Sequence, residues 1–140
     1  MIYDDSNAFG GQYITVINGY NSPNEPPSPD GMTSYIFDVS GGKYRVQARV
    51  ITSNDVDELS SNSCWIRIDG AMVNTVIHSS GWIQWNNIEY GENWHWDIVH
   101  SSDDNNKLVE FSLDSGTYTL EIGYREDGLY IDGILITKID

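Results

Sequence analysis

The stretch "KYRVQARV", residues 43–50, decides the fold. Tyr44, Val46, Ala48 and Val50 alternate with Lys43, Arg45, Gln47 and Arg49. Successive side chains of a strand point to opposite faces, so this segment is a strand with one apolar and one polar face. The same period of two recurs along the chain. "TYTLEIGY" (117–124) aligns Tyr118, Leu120, Ile122 and Tyr124, and "LVEFSL" (108–113) aligns Val109, Phe111 and Leu113. Further strands are expected at "QYITVI", "TSYIFDV", "CWIRID", "NTVIHS" and "LYIDGILIT". No window carries the i, i+3, i+4, i+7 pattern of an amphipathic helix.

Turn chemistry falls between these runs. "SGG" (40–42), "DG" (69–70), "DSG" (114–116) and "EDG" (126–128) read as short hairpin connections. "NSPNEPPSPDG" (21–31) holds all four prolines and reads as a long surface loop. "SNDVDELSSNS" and "HSSDDNNK" read as polar connections. Eight or more short strands with tight turns and no helix predict an all-β fold, an antiparallel β-sandwich of jelly-roll type. Residues 1–140 form a single domain with no internal boundary or repeat.

The charge narrows the partners. There are 21 acidic residues against 7 basic ones, a net charge of -14. Nucleic acid and anionic membrane surfaces are disfavoured, because no basic footprint is offered to phosphate. The charge is compatible with a neutral, hydroxyl-rich ligand or with cations, and it weighs against polyanionic glycans such as pectate or alginate unless calcium bridges them. The single cysteine, Cys64, excludes an internal disulfide and a cysteine-rich zinc site, and it is expected as a small buried side chain. The chain contains no apolar run of transmembrane length and no signal-peptide pattern.

Four of the five tryptophans lie in "GWIQWNNIEYGENWHWD", residues 81–97, among Asn, Gln, Glu and Gly. An aromatic ring offers a flat apolar surface to the C–H patch of a sugar ring, and short polar side chains beside it take the hydroxyls. Trp82 and Trp85 sit in what reads as an inserted loop or hairpin, with Asn86, Asn87 and Glu89 alongside. One of the two is expected under the loop and the other exposed. Trp94 and Trp96 are two apart and share a face in a strand. At least one of them belongs to a core, and Trp96 is assigned there. Trp65 is out of phase with Ile66 and Ile68, on the other face with Arg67, and is expected to pack.

An enzyme reading finds little. Glu89, Glu92 and Asp97 are the nearest carboxylates, but their spacing marks no general acid with a partner across a cleft. His78, His95 and His100 have no metal-ligand spacing, and neither a nucleophile elbow nor a phosphate-binding loop is present. Catalysis is not expected.

Three pieces of the chain carry a resemblance: "DDSNAFGGQYI"; the pair "SYIFDVSGGKYRVQARV" and "CWIRIDG"; and "WHWDIV" followed by "VEFSLDSGTYTLEIGYREDGLYIDGILIT". Together they resemble the non-catalytic carbohydrate-binding modules of families 6 and 35, in particular members that end in a REDG…LD-type pattern. That resemblance implies a β-sandwich that stacks polysaccharide sugar rings on loop aromatics and targets an attached carbohydrate-active enzyme to its substrate. The setting it implies is extracellular, as an accessory domain of a secreted glycoside hydrolase. It places the mid-chain aromatic at Trp94. It places Tyr130, where family 6 often has Asn, two residues before Asp132. It takes an early-loop aromatic at Tyr20 beside Asn21. In these modules a strand with a Glu-Ala-Glu-type motif precedes the "DDSNAFGG" region and helps hold a structural calcium. Asp132 matches the last-strand position of that site.

The expected ligand-binding set is therefore Trp94, Tyr130, Trp82, Trp85, Tyr20, Asn21, Asn86 and Glu89. Calcium at Asp132 is the implied cofactor, and a polysaccharide or oligosaccharide and a parent catalytic domain are the implied partners. An edge strand left uncovered would pair with another chain, so a homodimer is expected as well. The alternative is a protein-interaction or adhesion sandwich of a larger extracellular protein, with its tryptophans in the interface.

Overall fold

The computed structural model describes residues 2–4, 6, 8–15, 32–52, 63–125 and 129–139. Eleven strands appear among them: β1 (Ile2–Asp4), β2 (Gln12–Ile14), β3 (Met32–Ile51), β4 (Cys64–Ile68), β5 (Met72–Val73), β6 (Ile83–Trp85), β7 (His95–Ile98), β8 (His100–Ser101), β9 (Lys107–Leu108), β10 (Phe111–Tyr124) and β11 (Tyr130–Lys138). Every pairing among them is antiparallel. The all-β sandwich read from the alternation is the observed fold.

Strand β3 organises the two layers. Its first part pairs with β10, which in turn pairs with β4 and β5, and β4 pairs with β6. Its second part lies between β11 and β7, and β11 continues to β2 and β1. We refer to these as the β10 layer and the β11 layer. Buried side chains from both layers form one cluster. Val46, Ala48 and Val50 of β3 meet Ile66 and Ile68 of β4, Ile83 and Trp85 of β6, Leu120 and Ile122 of β10, and Ile131 of β11. Removing side chains of this size from water supplies about 1.5–3 kcal/mol each.

Two turn expectations are overturned by the same feature. "SGG" and "DSG" are not hairpin connections but lie inside continuous strands, opposite each other, with Ser40 paired to Ser115 and Gly42 to Leu113. Gly41 has φ +89° and Gly42 φ +135°, backbone that side chains on Cβ disfavour. A Cβ on Gly41 would stand 3.1 Å from the Ser115 amide nitrogen. The long ribbon kinks here, and its inward face changes phase. Phe37 and Val39 pack on the core before the kink, Tyr44 and Val46 after it. On β10, Phe111 and Leu113 are buried on one side of the kink and Leu120 and Ile122 on the other. Glycine signalled a change of backbone direction correctly, but a local signal does not say whether the chain reverses or bends.

"NTVIHS" forms no strand; Asn74 and Val76 are hydrogen-bonded to residues 101–110, and His78 packs edge-on to Trp65 on the outer face of β4. The Asp69–Gly70 turn is present, with the Ala71 amide donating to the Ile68 carbonyl at 3.1 Å. Cys64 is buried, as expected. "HSSDDNNK" is more ordered than a simple connection, since β8 and β9 pair across a 3-10 turn. "NSPNEPPSPDG", "EDG" and nearly all of "SNDVDELSSNS" lie outside the described residues.

Candidate functional site

The polar face of "KYRVQARV" looks outward from the β11 layer. Val46, Ala48 and Val50 are fully buried, so Arg45, Gln47 and Arg49 point the other way. Register places side chains of the flanking strands on that same outer face. Arg49 stands between Trp96 of β7 and Gly133 of β11, and Gln47 stands between Ile98 and Leu135. Trp96 is 40% exposed. Its assignment to the core is therefore corrected.

The reason lies in the other face of β7. Its inward positions are His95 and Asp97, opposite Val50 and Ala48. These polar groups hold the loop 86–93 against the sandwich edge. The Glu89 amide donates to Asp97 Oδ2 at 3.3 Å, and the His95 ring nitrogens stand 2.9 Å from the carbonyls of Asn93 and Glu89. Thr52 Oγ1 donates to the Glu89 carbonyl at 2.8 Å and accepts from the Gly91 amide at 2.9 Å. Ile88 plugs the core from the same loop. The loop thus closes the sandwich where β7 has no apolar inward side chain, and Trp96 is left on the outer face. Burial raises the Asp97 carboxyl above its ordinary value, partly opposed by His100 and by the amide bonds it accepts.

Trp94 is half-buried, and the Arg49 guanidinium lies 5.6 Å from its ring centre, within cation–π range. Arg49 Nη1 donates to Asp132 Oδ2 at 2.9 Å, and the Asp132 side chain is fully buried. A charge-assisted pair at this depth fixes both partners. Asp132 sits at a bulge in β11, between residues 131 and 133. Tyr130 is half-buried and pairs with Ile51 at the far side of β3. Trp94, Arg49, Asp132 and Trp96 therefore form one braced arrangement, with Tyr130 across β3.

The calcium expectation meets Arg49. The guanidinium already gives Asp132 a cation, and among the described residues no three His, Cys, Asp or Glu side chains converge as metal ligands would. Asp132 as seen here is one half of an ion pair.

The remaining candidates are dispersed. Trp82 and Trp85 are both buried, Trp82 under the Arg67 guanidinium at 4.6 Å and Trp85 edge-on to His100. The expectation that one of them is exposed is corrected: β6 pairs with β4, which draws Trp85 inward opposite Cys64. Trp65 packs as expected, edge-on to His78 at 4.8 Å. Asn86 is half-buried, with its side-chain oxygen accepting from the Asn87 amide at 2.8 Å. Glu89 is exposed at the braced loop. Tyr20 and Asn21 lie outside the described residues. Two residues were passed over in the sequence. Tyr90, 51% exposed, donates from its hydroxyl to Glu92 at 3.0 Å at the loop tip, and Arg49 braces Trp94. Arg49 was legible as part of the polar face of β3; Tyr90 carried no signal apart from its loop setting.

No family model matches the chain, and no curated protein matches it. Among solved structures, its fold is similar to part of a ruminal GH26 endo-beta-1,4-mannanase, with a TM-score of 0.55 and 13% sequence identity. The likeness covers 100% of this chain and 26% of that one, so the chain spans about a quarter of the enzyme's length. At this identity it is a likeness of fold, to part of a carbohydrate-active enzyme.

Proposed function

We propose that the protein is a non-catalytic carbohydrate-binding module that holds polysaccharide on the outer face of its β11 layer. The observation that carries this reading is the solvent-facing Trp96 beside an Arg49-braced Trp94. A large exposed indole on a rigid strand, with guanidinium and amide groups beside it, is the chemistry a sugar ring needs. Tyr130 and Gln47 complete the surface across β3, and Glu89 and Tyr90 stand on the loop braced against β7. The neighbour's likeness supports a module of this size working within a larger carbohydrate-active protein, where tethering raises the effective concentration of substrate. Glu92 and Asp97 both serve the loop, which supports a binding role over hydrolysis. A jelly-roll connectivity, secretion and a parent catalytic domain belong to the same proposal.

Affinity electrophoresis through neutral polysaccharides, β-1,4-mannan among them, and acidic polysaccharides tests this reading. Retardation by one glycan that disappears in Trp96→Ala is the expected result. Retardation by none overturns it. A second reading, a protein-interaction module, is favoured by the exposed Met72, Val76 and Ile77. It predicts no glycan retardation and a loss of partner binding on Met72→Asp.

A further inference from the structure

We propose that the free edge of β3, residues 33–39, pairs antiparallel with the same edge of a second copy of this chain, centred on Ile36. A strand has two sides for hydrogen bonding. Residues 32–44 of β3 pair with β10 on one side and residues 44–51 pair with β11 on the other, so Tyr44 is paired to both Phe111 and Lys138. The Ile139 amide extends the β11 side by one bond, donating to the Lys43 carbonyl at 2.8 Å. From Met32 to Gly42 none of the described strands lies on that side. A bare edge presents amides and carbonyls to another strand, and proteins guard such edges with lysine, proline or bulges. The segment "MTSYIFDV" (32–39) holds neither lysine nor proline, and its one charge is Asp38. Ile36 is 77% exposed, the most of any large apolar side chain among the described residues.

The segment is complementary to itself, which points to a second copy as the occupant. With Ile36 opposite Ile36, Tyr35 meets Phe37, Ser34 meets Asp38 and Thr33 meets Val39. Cross-strand pairs of aromatic and β-branched side chains stabilise a sheet. Centring on Phe37 instead sets Asp38 against Ile36, and centring on Asp38 sets two carboxylates face to face, which is destabilising. Asp38 is already engaged within its own chain, its Oδ1 accepting from Thr117 Oγ1 at 2.6 Å. Each copy carries a net charge of -14, so association favours a contact nearly free of carboxylates, which this edge supplies. Behind the edge, Tyr35 is opposite the buried Leu120 and so points inward. With Ile2, Ile14, Ile131 and Ile134 it lines an open cleft of about 360 Å³ between the layers. Phe37 of the second copy, set beside Tyr35, covers that cleft and removes apolar surface from water. The β10 layers of the two copies then form one continuous sheet. The pair also carries two β11-layer faces, and the value of that for holding a polymer is the one consequence that rests on the binding role proposed above.

Sedimentation equilibrium on the intact chain, across protein concentration and salt, tests the pairing without any glycan. The expected result is a monomer–dimer equilibrium that tightens as salt rises, because screening weakens the repulsion between two acidic copies. Ile36→Lys sets two ammonium groups opposite each other and should raise the dissociation constant at least about tenfold. Its melting temperature at low concentration should match the parent's, since the side chain stands in water. Ile36→Cys reads the register directly. Residues directly opposite in an antiparallel pair lie about 4.5–5.5 Å apart at Cα, within reach of a disulfide. Mild oxidation should link Ile36→Cys into a dimer and leave Met72→Cys, equally exposed on β5, unlinked. Cys64 is buried and takes no part. A dimer that survives Ile36→Lys and is not linked through Ile36→Cys would overturn the assignment and move the contact to Met72, Val76 and Ile77. A monomer at every concentration and salt would overturn the second copy as occupant and leave the edge to an extended segment of another protein.

Discussion

The outer faces of the two layers carry the same trio in two states. On the β10 layer, Arg67 pairs with Glu121 at 2.9 Å and lies 4.6 Å over Trp82. On the β11 layer, Arg49 pairs with Asp132 at 2.9 Å and lies 5.6 Å from Trp94. Each is a guanidinium held by a carboxylate and set against an indole. The first is covered by the segment that carries His78 and Ser80. Arg67 Nη1 donates to the Ser80 carbonyl at 2.7 Å, and His78 pairs with Asp103 at 2.6 Å while resting on Trp65. Trp65 is 0% exposed there, against 40% for Trp96 on the other face. The side chains alone do not make a binding surface. The path of one connecting segment makes one face structural and leaves the other for a ligand.

The sharpest way to break the comparison is to truncate an indole on each side. Trp65→Ala should lower stability by about 3–5 kcal/mol, the range for removing a large buried aromatic. Trp96→Ala should lower it by about 1 kcal/mol or less, since its ring is already in water. Equal losses in denaturant unfolding would erase the distinction between the covered and open faces.

Next in size is the braced pair. Arg49→Ala leaves the buried Asp132 carboxylate without its guanidinium and should destabilise by about 3 kcal/mol. Arg49→Ala combined with Asp132→Asn should recover part of that loss, because no charge is then buried alone. Failure of the second change to help would mean that the pair does not anchor the face.

The ribbon that joins the two layers is tested at its kink. Gly41→Val should cost about 1–3 kcal/mol, from strain at φ +89° and contact with the Ser115 amide. Urea unfolding checks this, with Gly41→Val expected to shift the midpoint and leave the slope unchanged.

The smallest effect expected is on pH dependence at the loop brace. The Asp97 carboxyl is raised above its ordinary 3.8, so the folded state holds its proton more tightly than the unfolded chain does. Below that ordinary value both states are protonated and Asp97 contributes nothing. As pH rises through 3.8 toward the raised folded value, the charged form increasingly penalises folding, and the penalty is complete above it. Asp97→Asn should therefore match the parent near pH 3 and gain stability over it by neutral pH. A constant difference across that range would show that burial of the charge is not the dominant influence.

The sandwich was legible because alternation is local: "KYRVQARV" names its buried and exposed faces from eight residues. So were the packing of Trp65 and the turn at Gly70. Three features were not legible in the same way. The phase change at Gly41 and Gly42 lies where Ser40 pairs with Ser115, 75 residues away, and no local window holds both strands. The tryptophans of residues 81–97 were sorted by partner strand, β6 against β4 and β7 against β3, a choice made by the tertiary fold. Asp132 found a cation through Arg49, 83 residues distant in sequence.

The sequence by itself determined the strands, their faces, the acidic surface and a supply of aromatics in polar company. Those follow from side-chain period and composition, which any stretch of chain expresses alone. Only the tertiary structure decided which indoles meet water, and that Arg49 stands beside them. Exposure depends on what packs above a side chain, and what packs above it comes from elsewhere in the chain.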